Sequence, residues 1–339
     1  MKLSIIIPVY NEEDSIKATI DELESYVNQY IGGSGWELIV INDGSTDNTL
    51  KVINSIKQEK AWLKIVDLGA NFGRGKALRK GLAEATGDII VSLDADLSYA
   101  PHHIERMVEK LVSKNADLVL TSAYGRGGSV KNVPFIRLWI SRFGNMLLSF
   151  MYGGNITVLT CIARAYRKTF IDRLDLHSND KDLHLEILYK AKILDAKILE
   201  VPGDLKWRKK NTATLNKNVR RRSTLRFRRT SISHFFFALL NRPGIIYFIP
   251  GTILLVISLS ILILSLKAII PDIINGMSVY FALRKSILTA TPSWLTLAVS
   301  FILSIQFFSL GFLTNQNKKN YEETYKTINS IFIELKKKK

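Results

Sequence analysis

Apolar and polar positions along the first 122 residues fall into two kinds of stretch. Leu3 to Val9, Trp36 to Ile41, Leu63 to Leu68, Ile89 to Leu93 and Asp117 to Thr121 are short runs rich in β-branched residues and leucine. They read as buried strands. Between them lie longer stretches with helical spacing. Glu12 to Tyr30 places Ile16, Ile20, Leu23 and Val27 on one face, and Gly32-Gly33-Ser34-Gly35 breaks it. Asn48 to Glu59, Lys76 to Ala85 and Pro101 to Ser113 read as helices, the last opening with its proline. Strand and helix alternating at this pace predict right-handed βαβ units, a mostly parallel Rossmann-like sheet and the α/β class.

The last third has a different pattern. Ile245 to Ile270 is almost wholly apolar, broken only by Pro250, Gly251, a few hydroxyls and Lys267, and Trp294 to Leu313 carries no charge. At about 20 residues per span, each is long enough to cross a bilayer. The pattern predicts an N-terminal domain over 1–210, a basic juxtamembrane segment over 211–243, two spans over 244–314 (about 245–270 and 292–314) and a basic tail over 315–339. The start of the chain has too short an apolar run before Pro8 for a signal peptide and reads as a first strand.

Charge refines this. The 339 residues hold 47 Lys+Arg against 30 Asp+Glu, a net +17, which points to anionic partners. Lys206 to Arg229 holds eleven basic residues and no acidic one, and the chain ends in four lysines. The positive-inside rule puts both flanks, hence the large domain and the C-terminus, in the cytoplasm of a multi-pass protein, and the short linker between the spans outside. The basic segment is followed by Phe235-Phe236-Phe237, a pattern suited to an anionic leaflet and to membrane lipids as partners. RNA binding by Arg220-Arg221-Arg222 is set aside, because the spans follow closely and no recognition fold is legible. One cysteine, Cys161, rules out an internal disulfide and reads as a small packed residue.

In an α/β sheet, chemistry collects at the carboxyl ends of strands. Asp94 and Asp96 follow the fourth strand one residue apart, a spacing that lets two carboxylates converge on a hard cation, Mg²⁺ or Mn²⁺, that also takes phosphate oxygens. The bland reading is a loop in which Asp96 caps the next helix. Asp43 could bond ribose or base, or be part of a tight turn. Asn71-Phe72-Gly73-Arg74-Gly75-Lys76 opens a helix with glycines and two cations, suited to an anion, but is neither a Walker loop nor Gly-x-Gly-x-x-Gly. Asp180, Asp182, His184 and Glu186 read as ordinary helix residues rather than a metal cluster. His102-His103 reads as a solvated pair.

Taken together, four blocks in order resemble the inverting GT-A glycosyltransferases of family two. They are Ile6-Ile7-Pro8-Val9-Tyr10-Asn11-Glu12-Glu13, Val40 to Asp47, Asn71 to Leu78, and Gly87-Asp88 to Leu97. Within that family the chain looks most like the polyisoprenyl-phosphate hexose synthases, through Ser141-Arg142-Phe143-Gly144-Asn145, Arg164-Ala165-Tyr166-Arg167, Glu186 to Ala191, and Glu200-Val201-Pro202 with Trp207-Arg208. The resemblance implies a GT-A domain that moves a hexose from a nucleotide-diphosphate sugar, of GDP-mannose or UDP-glucose type, to a polyisoprenyl phosphate. Pro8, Tyr10, Glu12 and Asp43, with Arg74 and Lys76, would hold the donor. Asp94 and Asp96 would bind the metal and Arg142 the acceptor phosphate. Glu186 lies where other members of the family carry a base for a hydroxyl acceptor; here it would orient the sugar or an arginine, with a plain helix-surface glutamate as the alternative. The chain departs from relatives at Ser98, where many carry Gln, and at Thr121-Ser122-Ala123, where they carry Gly-Ser-Arg. Arg126 is the candidate replacement for that arginine, and Thr157 and Val158 stand where relatives carry an acid. A polysaccharide-synthesising relative and an inactive sugar-binding scaffold are the alternatives. Oligomeric state stays open, a homo-oligomer included.

Overall fold

A computed structural model describes residues 1–31, 35–154, 156–207 and 243–337. The sequence-predicted segment 211–243 therefore lies, but for its last residue, outside the described residues. The chain divides into two compact units, one formed by Met1–Ala238 with Tyr325–Lys339, the other by Leu239–Thr324.

The first unit is an α/β layer structure. Its strands are β1 (Leu3–Val9), β2 (Trp36–Asn42), β3 (Leu63–Asp67), β4 (Ile89–Ser92), β5 (Leu118–Ser122), β6 (Ser129–Lys131), β7 (Arg164–Arg167), β8 (Ile198–Pro202) and β9 (Asp204–Lys206). Seven form one sheet in the order β3-β2-β1-β4-β7-β5-β8, and β6 pairs with β9. Every pairing in the large sheet is parallel except those of β7, which runs antiparallel between β4 and β5. The helices are α1 (Ile16–Ile31), α2 (Thr49–Lys57), α3 (Arg74–Glu84), α4 (His102–Ser113), α5 (Phe135–Tyr152), α6 (Lys168–Ile171) and α7 (Leu183–Ile193). This is the mostly parallel, Rossmann-like sheet the alternation predicts, with element ends shifted by a few residues. The largest shift is at α1, which starts at Ile16 because residues 12–15 form a turn in which the Ser15 hydroxyl donates to a Glu12 carboxylate oxygen at 2.8 Å.

Successive residues of a strand point to opposite faces, so β1 feeds two cores. Ile5 and Ile7 pack with Ile16, Ile20 and Leu23 of α1 on one side, while Ile6 packs with Ala77 and Leu78 of α3 and Ile41 on the other. β4 is buried at all four positions. Burial on both faces explains why these strands read as continuous apolar runs.

The second unit holds α8 (Pro243–Ile274), α9 (Val279–Thr289) and α10 (Thr291–Lys337) up to Thr324. α8 and α10 are long and apolar enough to cross a membrane. Within this unit the Ser304 hydroxyl donates to the Gly251 carbonyl at 2.9 Å and that of Ser258 to Leu297 at 3.4 Å, so the two helices run antiparallel with small polar residues between them. Two features differ from the pattern. The stretch expected as a plain linker contains α9, with Lys285 bonded to Asp272 at 2.8 Å. The residues expected as a tail continue the helix of the second span to Lys337. Leu310 to Lys337 has neither Pro nor Gly after Gly311, so no residue there stops a helix. The residues from Tyr325 onward group with the first unit, where the Asn329 amide donates to the Arg173 carbonyl at 2.6 Å and Lys326 pairs with Asp195 at 2.6 Å.

Candidate active site

The carboxyl ends of β1, β2 and β4 lie side by side, and their loops are laced together. The Asn11 amide N–H donates to Ser45 Oγ at 3.0 Å, Thr46 N–H to Asn11 Oδ1 at 2.8 Å, and Glu12 N–H to Thr49 Oγ1 at 2.8 Å. Asn11 sits in the left-handed region (φ 53°), where asparagine is better tolerated than most residues. The result is a cleft of about 200 Å³ lined by Pro8, Val9, Tyr10, Glu12, Asp43, Arg74, Asp94, Ala95 and Asp96. Seven of the eleven sequence-predicted site residues therefore meet in one place.

Each carboxylate there has a distinct environment. Asp43 is buried, and its two oxygens accept the Phe72 N–H at 2.9 Å and the Gly73 N–H at 3.0 Å. It braces the turn that opens α3 as well as lining the cleft, a role its turn-like sequence context does not reveal. The adjoining Gly44 (φ 66°) lies so close to the same turn that a Cβ there would come within 2.3 Å of the Ala70 backbone. Asp96 Oδ1 accepts from the Ser98 N–H at 2.9 Å and hydroxyl at 2.7 Å, and no bond to its Oδ2 is seen among the described residues. Asp96 thus turns its own loop instead of capping α4, and Ser98 orients it.

Asp94 Oδ1 accepts from Arg74 Nη1 at 3.0 Å, both side chains about one third exposed. Partial loss of hydration in the cleft raises the Asp94 pKa from its ordinary value. Arg74 opposes that lift, Asp96 adds to it, and Lys181 opposes it. Lys181 is a cation near the cleft that the sequence does not mark. The Asp94–Ser98 turn is held by a bond from the Thr19 hydroxyl to the Ala95 carbonyl at 2.7 Å and carries Leu97 at φ 47°. A left-handed leucine is strained by about 1 kcal/mol or more, and here its side chain is fully buried, which fixes the turn.

The remaining predicted residues lie elsewhere. Lys76 is two positions from Arg74, and its Nζ rests 3.2 Å from the Phe72 ring centroid. It lines a separate 490 Å³ hollow with Arg79, Leu82, Leu174 and Leu176 instead of the cleft. Arg126 and Arg142 are exposed, Arg142 with its guanidinium 5.6 Å from the Tyr124 ring. Neither lines the cleft. Glu186 is not a helix-surface glutamate. Its carboxylate accepts from the His177 N–H (3.0 Å), the Ser178 N–H (2.8 Å) and Lys190 Nζ (2.7 Å). Burial works against its charge, but the bond from Lys190 and those from the Ser178 and His177 amides outweigh it, and the pKa falls below the ordinary value. Glu186 thereby fixes the loop whose Asn179 carbonyl accepts the Lys76 N–H at 3.0 Å. That loop runs so close to α3 that a Cβ on Gly75 would come within 2.3 Å of the Asp180 carbonyl.

Two histidine expectations divide. His103 is fully buried, not solvated. Its Nδ1 donates to the Ala100 carbonyl at 2.8 Å and its Nε2 accepts the Asp204 N–H at 2.9 Å, and burial lowers its pKa. With both nitrogens committed, the His102–His103–Asp204 group, the one cluster of three metal-capable side chains among the described residues, latches α4 to β9. Asp180, Asp182, His184 and Glu186 do not gather. Cys161 is buried, and burial pushes its thiol up to about 11.

The cleft fits a hard divalent cation. Its donors are carboxylate oxygens, the set Mg²⁺ and Mn²⁺ prefer, and the Arg74 guanidinium already rests on one of them as a positive partner.

Comparisons agree with this geometry. The sequence model for glycosyl transferase family 2 matches residues 4–175, just over half of the chain. A dolichol-phosphate mannosyltransferase of Pyrococcus furiosus is 30% identical over 204 residues, covering 60% of this chain and 56% of that relative, so the match spans little more than half of its length. Among solved structures, glucosyl-3-phosphoglycerate synthase from Mycobacterium tuberculosis in complex with uridine diphosphate is similar at TM-score 0.50 and 23% identity, over 71% of this chain and 79% of that one. The same enzyme with Mn²⁺, uridine diphosphate and phosphoglyceric acid is similar at TM-score 0.50 and 24% identity, over 71% and 78%. These likenesses show the GT-A fold.

Proposed function

The chain belongs to glycosyl transferase family 2, and from that premise we propose that it transfers a hexose from a nucleoside-diphosphate sugar to a polyisoprenyl phosphate at the cytoplasmic face of a membrane, with inversion at the anomeric carbon. The observation that carries the reading is the meeting of Asp94, Asp96 and Arg74 with Pro8, Tyr10, Glu12 and Asp43 in one cleft, in a chain that also has two helices able to span a bilayer. The dolichol-phosphate mannosyltransferase relative supports a lipid-phosphate acceptor.

Pro8, Tyr10, Glu12 and Asp43 would bind the nucleoside, and Asp94 and Asp96 would hold Mg²⁺ or Mn²⁺. A divalent cation held there supplies charge neutralisation for the departing diphosphate. Arg74 would shift between Asp94 and a diphosphate oxygen, since guanidinium pairs well with either. The acceptor oxygen forms a bond to the anomeric carbon as the bond from that carbon to the diphosphate breaks, and the nucleoside diphosphate leaves with the electron pair. A phosphate monoester is largely dianionic at neutral pH, with a second pKa near ~6, so the step needs no strong base. What it needs is cations beside the acceptor, the role proposed for Arg142 with Arg126 as its helper.

Glu186 bears on the choice of acceptor. A hydroxyl acceptor requires a general base, and Glu186 is a poor one: three donors hold its carboxylate and depress its pKa. That favours the phosphate acceptor over a glycan hydroxyl. Membranes containing the protein should be incubated with a panel of labelled nucleotide sugars, Mn²⁺ and polyprenyl phosphate. Label in a mild-acid-labile lipid is the predicted outcome. Label only in polymer supports the glycan reading, and no transfer with any donor supports an inactive scaffold.

A further inference from the structure

We propose that the hollow between α3 and residues 171–176 is a second binding site, built for a small organic anion with a compact apolar body, such as an aryl or alkyl monophosphate. It shares no lining residue with the cleft of Asp94 and Asp96, and the inference does not rest on the reaction proposed above. Its 490 Å³ lies within the range of about 300–1,000 Å³ found for small-molecule pockets, and its make-up matches theirs, an apolar majority with a few placed polar groups. Leu68, Leu82, Ile171, Leu174 and Leu176 supply the apolar wall.

The sequence turns one face of α3 toward this space. Lys76, Arg79, Lys80 and Ala83 recur at three- and four-residue spacings, and all four line the hollow. A row of cations on a helix is ordinarily a solvated face. Here an apolar wall shares the space with them, and Lys76 and Arg79 are half-buried.

Charge selects the occupant. Among the described residues neither Lys76 nor Arg79 has an ion pair. The Lys76 ammonium rests on the Phe72 ring, and Arg79 donates from Nη1 to the Leu176 carbonyl at 2.6 Å and from Nη2 to Asn179 Oδ1, both neutral acceptors. Arg79 Nε is buried with no hydrogen-bond partner among the described residues. A buried donor left unmade is costly, and an anion's oxygen would complete it. Asp172 is the one acid among the described lining residues, and Lys168 already pairs with it. Lys80 is held only loosely, by Glu84 at 3.5 Å. The lining therefore carries surplus positive charge beside a hydrocarbon wall, which calls for an anionic head on an apolar body. Inorganic phosphate would leave the leucines uncovered, and an uncharged apolar molecule would leave Lys76 and Arg79 unanswered. The occupant would bridge α3, the helix that also carries Arg74, to the wall at Leu174 and Leu176.

The test uses the full chain in nanodiscs of zwitterionic lipid, with para-trifluoromethylphenyl phosphate as the probe and its fluorine resonance as the readout. The resonance should broaden with protein and stay sharp with empty nanodiscs. Binding should weaken several-fold in Lys76→Ala and in Lys80→Ala, and be lost in Ala83→Trp, where an indole at an exposed rim position fills the hollow. Lys80 is exposed, so its variant keeps the test decisive if Lys76→Ala fails to fold. Para-trifluoromethylbenzyl alcohol has the ring without the charge, and inorganic phosphate the charge without the ring. Each should compete several-fold more weakly than phenyl phosphate. Unchanged binding in Ala83→Trp and Lys80→Ala overturns the proposal. So does binding lost in Arg74→Gln but kept in Ala83→Trp, which places the anion in the cleft, and so does equal broadening by empty nanodiscs, which means partition into lipid. Equal competition by inorganic phosphate or by the alcohol contradicts the class of ligand. Loss of sugar transfer with probe binding intact would count against the proposed reaction and leave this site standing.

Discussion

Two groups of carboxylates in the first unit have opposite fates. Glu186 on α7 is fully used, by two main-chain N–H groups and a lysine ammonium, and its side chain is only 14% exposed. Asp94 and Asp96 at the end of β4 are under-used, the first paired with one arginine at a solvent-facing cleft, the second bonded through a single oxygen to its own turn. A saturated carboxylate is a fastener, because its lone pairs and its charge are already spoken for. An unsaturated one beside a cation costs stability and is kept where a ligand completes it. On the proposed reading, the contrast puts chemistry at β4 and architecture at α7.

The strongest break of that contrast is Asp94→Ala. It removes one of the two candidate metal oxygens and leaves Arg74 without its partner. Transfer should fall by at least ~10²–10³-fold, the scale for deleting one charge-stabilising group. The thermal midpoint should move little. A full transfer rate in this variant, measured with labelled donor, removes the metal assignment.

Glu186→Ala comes next and acts on stability. Among the described residues it removes the one carboxylate paired with Lys190, whose side chain is 7% exposed and keeps only its hydrogen bond to the Asp175 carbonyl, and it frees the 177–178 amides. Breaking a buried pair of this kind costs about 3 kcal/mol. Chemical denaturation should report that loss, while transfer per folded molecule stays within about tenfold of the wild type. An inactive variant with wild-type stability would falsify the fastener reading and restore Glu186 as a base.

Acid titration sharpens the same point more gently. The folded pKa of Glu186 lies below its unfolded value, near ~4.3. Its stabilisation is therefore fully present above that value and is lost as pH falls through the folded pKa. The stability gap between wild type and Glu186→Gln should be constant from neutral pH to about pH 5, then narrow in acid. A gap that widens in acid reverses the sign and contradicts the account. Smallest is Arg74→Gln. Without the guanidinium on Asp94, Mn²⁺ should bind several-fold more tightly in the absence of donor, as read by calorimetry or free-Mn²⁺ resonance, and nucleoside diphosphate more weakly. Unchanged Mn²⁺ affinity means that the Arg74–Asp94 pair does not compete with a cation.

The pattern of apolar runs carried the sheet because β1, β2 and β4 are buried on both faces and their few polar residues, Ser4, Glu37, Asn42 and Ser92, lie near the strand ends and leave the apolar run intact. β7 was not legible as a strand. Arg164-Ala165-Tyr166-Arg167 has two arginines in four residues, and it is a strand because Arg164 is buried whole, donating to the carbonyls of Cys161 (2.6 Å) and His184 (3.1 Å). α5 was hidden for the reverse reason: its apolar residues face out, so periodicity suggests a core that is not there. In the cleft, spacing after strands found Asp94, Asp96 and Asp43, since strand ends are fixed by topology. It misplaced Lys76, because two steps along a helix turn a side chain away from its neighbour's face. It could not anticipate Lys181 or the Glu186 bonds, which depend on a loop folding back onto α3.

The most direct measurement sets the two sites against each other under one assay. Mn²⁺-dependent transfer of labelled sugar to polyprenyl phosphate is measured for Asp96→Asn and Glu186→Gln, each normalised to folded protein. The account predicts that the first falls to a hundredth of the wild-type rate or less, on the order of the loss quoted above, and that the second keeps most of it. The opposite order, with Glu186→Gln inactive and Asp96→Asn near wild type, would contradict it.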